Sequence, residues 1–199
     1  MLRVGLFGDS LAVGVGASSP QDGLGPRLVA DLAAAGRAAQ HRVFAASGAR
    51  SAALPGQVAA AGDWPHLAVV VIGANDLTHL VPVAQAVADL DAALRALRGR
   101  GIQVVLVPAP DLSSVAHVPP ALRELVRLAS ATLRGAQEEV ARATGAHLVD
   151  TSTASAALAR DASLFSADRF HPSSAGYALL GQAVAPVVRT AARAVEDAA

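Results

Sequence analysis

Five short apolar runs, at residues 2–7, 42–45, 67–72, 102–107 and 147–149, recur along the chain, separated by longer segments with helical spacing. The runs are shorter than ordinary helices and rich in Val, Leu and Ile, which suits strands. Those at 2–7, 67–72 and 102–107 show little polar alternation, so strands there must be covered on both faces. In between, residues 83–97 place Val83, Val87, Leu90, Leu94 and Leu97 on one stripe, with Asp89, Asp91 and Arg95 off it. Residues 119–144 read as a second such helix, with Leu122, Leu125, Leu128 and Leu133 inward, Pro119-Pro120 at its start and Gly145 at its end. Residues 173–196 read as a closing helix opened by Pro172. This alternation predicts an α/β fold, a three-layer α/β/α sandwich with a central parallel sheet of about five strands. No repeat, low-complexity stretch or linker interrupts it, so residues 1–199 read as one domain.

Composition narrows the function classes. Apolar residues make up 53% and charged residues 16%, enough to bury a core, and with 3% aromatics that core must be aliphatic. The net charge is zero and the pI about neutral, which argues against a nucleic-acid partner. With no Cys there is no thiolate nucleophile, disulfide or cysteine metal site. No His/Asp/Glu cluster has metal-ligand spacing either. The apolar runs fall well short of the ~18 residues a membrane span needs. Without a basic, apolar leader, the sequence as given reads as cytoplasmic.

Ligands of open parallel sheets gather where strand carboxyl ends meet helix N-termini. That rule selects residues 8–16, 46–51, 73–77 and the loop after the last strand. Gly8-Asp9-Ser10-Leu11 sets a serine just past the first strand, where its hydroxyl can act as a nucleophile if a base takes its proton. The same residues also suit a helix N-cap or a phosphate turn. Gly73-Ala74-Asn75-Asp76 ends the third strand, and Asn75 is the sole Asn of the chain. Its amide can donate to a developing oxyanion, or it can simply close an Asx turn. Asp168-Arg169-Phe170-His171-Pro172 puts an acid three residues before a histidine, so Asp168 can accept from Nδ1 and leave Nε2 free. A purely structural Asp–His pair has the same spacing. His41, His66, His79, His117 and His147 lack this context and read as surface or structural.

Taken in order, these blocks resemble those of the GDSL/SGNH hydrolases. Gly8-Asp9-Ser10-Leu11 matches the first block, Ser47-Gly48-Ala49 resembles the second, Gly73-Ala74-Asn75-Asp76 the third, and Asp168-Arg169-Phe170-His171-Pro172 the last. The resemblance spans residues 4–181. It implies a flavodoxin-like sandwich and hydrolysis of small-molecule carboxylic esters or thioesters, with no metal or other cofactor. It also implies roles: Ser10 as nucleophile, His171 as base, Asp168 as its orienter, and Ser10 N–H, Gly48 N–H and the Asn75 amide as oxyanion donors. One departure is visible, since Val43-Phe44-Ala45-Ala46 stands where the second block often carries an Asn. An acyltransferase using the same acyl-enzyme, or a non-catalytic small-molecule binding domain, is the competing reading. Nothing in this reading requires a second copy, and a monomer suffices. The loop at 108–120, with Leu112, Val115 and Val118, is expected to wall the pocket, and the lack of a long insertion implies short to medium acyl chains.

Overall fold

The computed structural model describes residues 1–197. Five strands, β1 (Leu2–Gly8), β2 (Ala39–Val43), β3 (Leu67–Val71), β4 (Gln103–Val107) and β5 (His147–Leu148), form one sheet in the order β2-β1-β3-β4-β5. Every pairing is parallel. The helices between them are α1 (Ser10–Val13), α2 (Leu24–Ala34), α3 (Leu54–Ala61), α4 (Ala74–Thr78), α5 (Val83–Gly99), α6 (Arg123–Thr144), α7 (Ser152–Leu158) and α8 (Ser174–Asp197).

Strand residues alternate between two cores, as the period of two requires. Val4, Leu6, Val69 and Val105 pack with Leu28 and Leu32 of α2 and Val184 and Val188 of α8. Phe7, Val70, Val104 and Leu106 face the other way, against Leu54 of α3, Leu90 and Leu94 of α5 and Val140 of α6. The chain therefore forms the expected three-layer sandwich. Strand order reverses between β1 and β3, and such a reversal opens a crevice at the carboxyl edge.

Two expectations need correction. Strand β2 runs over Ala39–Val43 and not 42–45. It is an edge strand whose last residues are exposed, so its apolar content underreports it. The stripe chosen for α6 is also wrong, because Leu122, Leu125 and Leu128 are exposed and only Leu133 is buried. The inward face of α6 carries Ser130, Leu133, Gln137, Val140 and Ala141. Two of its members are polar because they serve the sheet edge. Ser130 Oγ accepts from Leu112 N–H, and Gln137 bridges Ala109 N–H and the Ile72 carbonyl. A hydrophobicity pattern cannot show such a face.

The corrected face sets an expected contrast. Leu133→Ala should cost about 2–5 kcal/mol, the usual range for truncating a core leucine. Leu128→Ser should stay within about 0.5 kcal/mol of the parent, as surface substitutions do. Urea melts of both variants decide it, and comparable losses would restore the original stripe.

Candidate active site

The turn after β1 is shaped by what Gly8 touches. Gly8 has φ +115°, and a Cβ there would lie 1.8 Å from the Val71 carbonyl oxygen, so no side chain fits. Gln57 of α3 then closes on both backbone groups of Gly8. Its Oε1 accepts from Gly8 N–H at 2.7 Å, and its Nε2 donates to the Gly8 carbonyl at 2.9 Å. Asp9, not Ser10, caps α1, its Oδ1 accepting from Leu11 N–H at 3.0 Å. The cap leaves the Ser10 hydroxyl free to turn toward His171.

Residues 165–172 form a tight hairpin closed by the Phe165–Pro172 bridge and by Ser166 N–H on the His171 carbonyl. Arg169 takes φ +56° at its tip. The Asp168 carboxylate organises the turn. Its Oδ1 accepts from Ser166 Oγ–H, Phe170 N–H and His171 N–H at 2.8–2.9 Å, and its Oδ2 faces His171 Nδ1 at 2.6 Å. Partial burial pulls the Asp168 pKa upward, but these hydrogen bonds outweigh it and hold the carboxyl well below its ordinary value. His171 Nε2 lies 3.0 Å from Ser10 Oγ, so Ser10, His171 and Asp168 stand in one hydrogen-bonded series. The loop after α1 abuts that series: a Cβ on Gly16 (φ +95°) would fall 2.8 Å from His171 Cβ. The buried Tyr177 of α8 fastens this loop by donating its hydroxyl proton to the Val15 carbonyl at 2.8 Å.

Gly48, Ser10 and Asn75 follow β2, β1 and β3, which are consecutive in the sheet. Ala46 N–H binds the Gly8 carbonyl, and Ala49 N–H closes a turn on Ala46 in which Gly48 has φ +77°. Ser51 N–H and Oγ–H both bind the buried Asp76 carboxylate, tying the Gly48 loop to the helix that carries Asn75. Among the described residues, Ser10 N–H, Gly48 N–H and the Asn75 side-chain amide donate no hydrogen bond. Asn75 Oδ1 accepts no hydrogen bond among the described residues, so the side chain closes no Asx turn, and it is the Asn75 main-chain carbonyl that accepts from His79 N–H. Sequence reasoning missed Gln57, Ser51 and Tyr177, because their partners lie on other elements, and Ser166, whose partner Asp168 is two residues away but forms no distinctive motif with it.

A cavity of about 60 Å³ opens beside His171, walled by Leu11, Ala74, Leu112, Val115, Phe165 and Phe170. Leu112 and Val115 take the place expected for the 108–120 loop, while Val118 does not line the cavity and packs against the cluster of Ala74, Leu112 and Val115. Beyond Leu158 and Phe165 lies a wider, more polar cleft of about 570 Å³ that includes Arg160 and Arg169.

A parallel α/β/α sandwich with a Ser–His–Asp series at the carboxyl edge of its sheet is a known class of architecture, and similarity narrows it further. Residues 6–179 match the model of the GDSL-like Lipase/Acylhydrolase family, and the chain belongs to that family. It is 36% identical to the GDSL-like esterase Rv1075c of Mycobacterium tuberculosis, over 87% of this chain and 57% of that protein. The chain thus spans little more than half the length of that relative. Among solved structures it resembles TesA, with TM-score 0.75 and 23% identity over 95% of this chain and 99% of that one. It also resembles Axe2, an acetylxylan esterase from Geobacillus stearothermophilus, with TM-score 0.76 and 18% identity over 94% of each chain. These two likenesses concern the fold.

Asp9 stands apart electrostatically. It is fully buried, and its Oδ2 has no partner among the described residues. Burial pushes its pKa up to about 7; the Leu11 N–H works against this, nearby Asp76 adds to it and His171 opposes it. An unfolded Asp titrates near ~3.9. Between those values Asp9 in the folded protein holds a proton that the unfolded chain releases, so the Asp9 contribution to stability falls as pH rises from about 4 to about 7 and is flat above. A shift of this size corresponds to a loss on the order of 4 kcal/mol. Asp9→Asn should remove that component and flatten stability between pH 5 and pH 8 relative to the parent. Denaturant melts at the two pH values provide the check, and parallel pH dependences for the two proteins would contradict it.

Proposed function

We propose that this protein hydrolyses carboxylic esters through an acyl-enzyme on Ser10, and the single observation that carries the reading is the Ser10–His171–Asp168 series. Neutral His171 takes the Ser10 proton at Nε2 as Oγ attacks the ester carbonyl, and Asp168 holds Nδ1 in the protonated tautomer that this requires. Negative charge then gathers on the former carbonyl oxygen. Ser10 N–H, Gly48 N–H and the Asn75 amide are the donors assigned to it, which accords with all three lacking partners among the described residues. Collapse of the intermediate expels the alcohol, which takes the proton from His171, and leaves the acyl group on Ser10. Water enters next, giving one proton to His171 and its hydroxyl to the acyl carbon. The acid departs and the proton returns to Ser10. Family membership and the esterase description of the Mycobacterium tuberculosis relative support the same chemistry.

No metal enters this sequence of steps. Among the described residues no group of three or more His, Cys, Asp or Glu is placed to hold a metal ion. The substrates are small acyl esters, of short to medium chain, and residues 1–199 act as one catalytic domain. No helix among the described residues is long and apolar enough to cross a membrane.

Ser10→Ala should abolish hydrolysis of p-nitrophenyl butyrate and labelling by an organophosphonate, with little change in melting temperature. Asn75→Ala should be slow and not dead: losing one preorganised donor costs ~10²–10³ in kcat with KM little changed. Ser10 should still label in that variant, and EDTA should leave the parent's turnover unchanged. Activity above a tenth of the parent in Ser10→Ala would remove the nucleophile assignment. A rise in KM alone in Asn75→Ala would make Asn75 a substrate contact.

A further inference from the structure

A second apolar cavity lies behind the one beside His171. It measures about 50 Å³ and is walled by Val71 and Val107 at the ends of β3 and β4, Ala154 of α7 and Leu180 of α8. The two cavities share five wall residues: Leu11, Pro110, Ser155, Leu158 and Pro172. Leu158, at the end of α7, borders both cavities and the polar cleft as well. The side chains lining the inner space are almost wholly aliphatic, and Ser155 and Thr151 supply its few polar atoms. An aliphatic void has no use for water, which needs two or more polar partners to settle. It does suit methylene groups.

We propose that the inner cavity is the distal half of a two-part acyl channel, with Leu158 as the neck between the parts and the far end of a linear acyl chain of about five carbons as its occupant. The assignment rests on the ester-hydrolase reading of Ser10. Three observations orient the chain this way. Leu11 follows Ser10 directly and walls both cavities, so the route inward starts at the nucleophile. Ala74 and His171 line the outer cavity, which puts its mouth at the carbonyl position. On the other side of Leu158 the wider cleft sets Arg160, Arg169 and Ser166 among Ala, Leu and Phe side chains, a mixed lining that suits an alcohol leaving group better than a hydrocarbon chain.

Size sets the chain length. An apolar cavity of ~150 Å³ takes up a benzene molecule, or about 25 Å³ per carbon. On that scale the outer cavity of about 60 Å³ holds roughly two carbons beyond the carbonyl, and the inner one of about 50 Å³ holds roughly two more. Acetyl and propionyl groups stay in the outer part. Hexanoyl reaches past Leu158 into the inner part.

The test compares p-nitrophenyl acetate, butyrate, hexanoate and decanoate as kcat/KM ratios in three proteins. Leu158→Ala widens the neck, and its hexanoate-to-acetate ratio should rise several-fold over the parent. Ala154→Leu fills the inner cavity, and its ratio should fall at least tenfold, since each methylene denied burial is worth about fourfold. Should Ala154→Leu fail to fold by circular dichroism, Ala154→Val makes the same test with a smaller fall. Opposite movements of the ratio in the two variants support the channel. Ratios equal to the parent's in both, with acetate still turned over, overturn it. No turnover of any ester by the parent would instead fail the ester-hydrolase reading itself.

Discussion

Backbone amides buried at the carboxyl edge of the sheet have to find partners, and the positions of the site loops follow from how they do so. A parallel sheet covered on both faces ends each strand away from water, where an unpaired N–H or C=O is costly. Here two glutamines supply much of the pairing. Gln57 satisfies both groups of Gly8 from α3, and Gln137 joins the ends of β3 and β4 from α6. Each bond reaches from a helix to a strand end distant in sequence. The edge is thereby fixed before any reacting group is considered.

That rigid edge explains why so little chain is needed to assemble the site. Ser10, Gly48 and Asn75 follow three neighbouring strands, so their mutual placement is set by the sheet and by the short links Ala46–Gly8 and Ser51–Asp76. His171 and Asp168 arrive differently, on an eight-residue hairpin held by its own turn and by α8. Asp168 has two tasks. One carboxylate oxygen gathers three donors and makes the turn, which leaves the other oriented toward His171 Nδ1. Folding of the hairpin and orientation of the imidazole are therefore one event.

Asp9 marks the cost of this economy. Its cap on Leu11 fixes the first turn of α1 and hence the Ser10 hydroxyl, yet it leaves a second carboxyl oxygen buried without a partner. A carboxyl in that position is held toward its neutral form, and stability is given up at the place where the Ser10 hydroxyl is held toward His171. Strain and unsatisfied groups concentrate at functional sites for this reason.

The sequence alone determined the layer architecture, because strands apolar on both faces admit only a covered parallel sheet, and Val69, Val70 and their neighbours carry that signal without context. It also determined Ser10, Asn75, Asp168 and His171 as candidates, since each stands in a short motif at a strand end or turn. The inward face of α6 was beyond it. Ser130 and Gln137 look like surface residues until the backbone groups they satisfy are brought near by folding, and Leu125 and Leu128 look like core. Gln57 was illegible for the same reason, its partner lying 49 residues away on another element. Periodicity and local motifs record contacts within a segment, whereas the clamps on the sheet edge, the burial of Asp9 and the cavities around Leu158 are relations between segments. Only tertiary structure decides those, because the free energy of a buried polar group depends on what surrounds it and not on its neighbours in sequence.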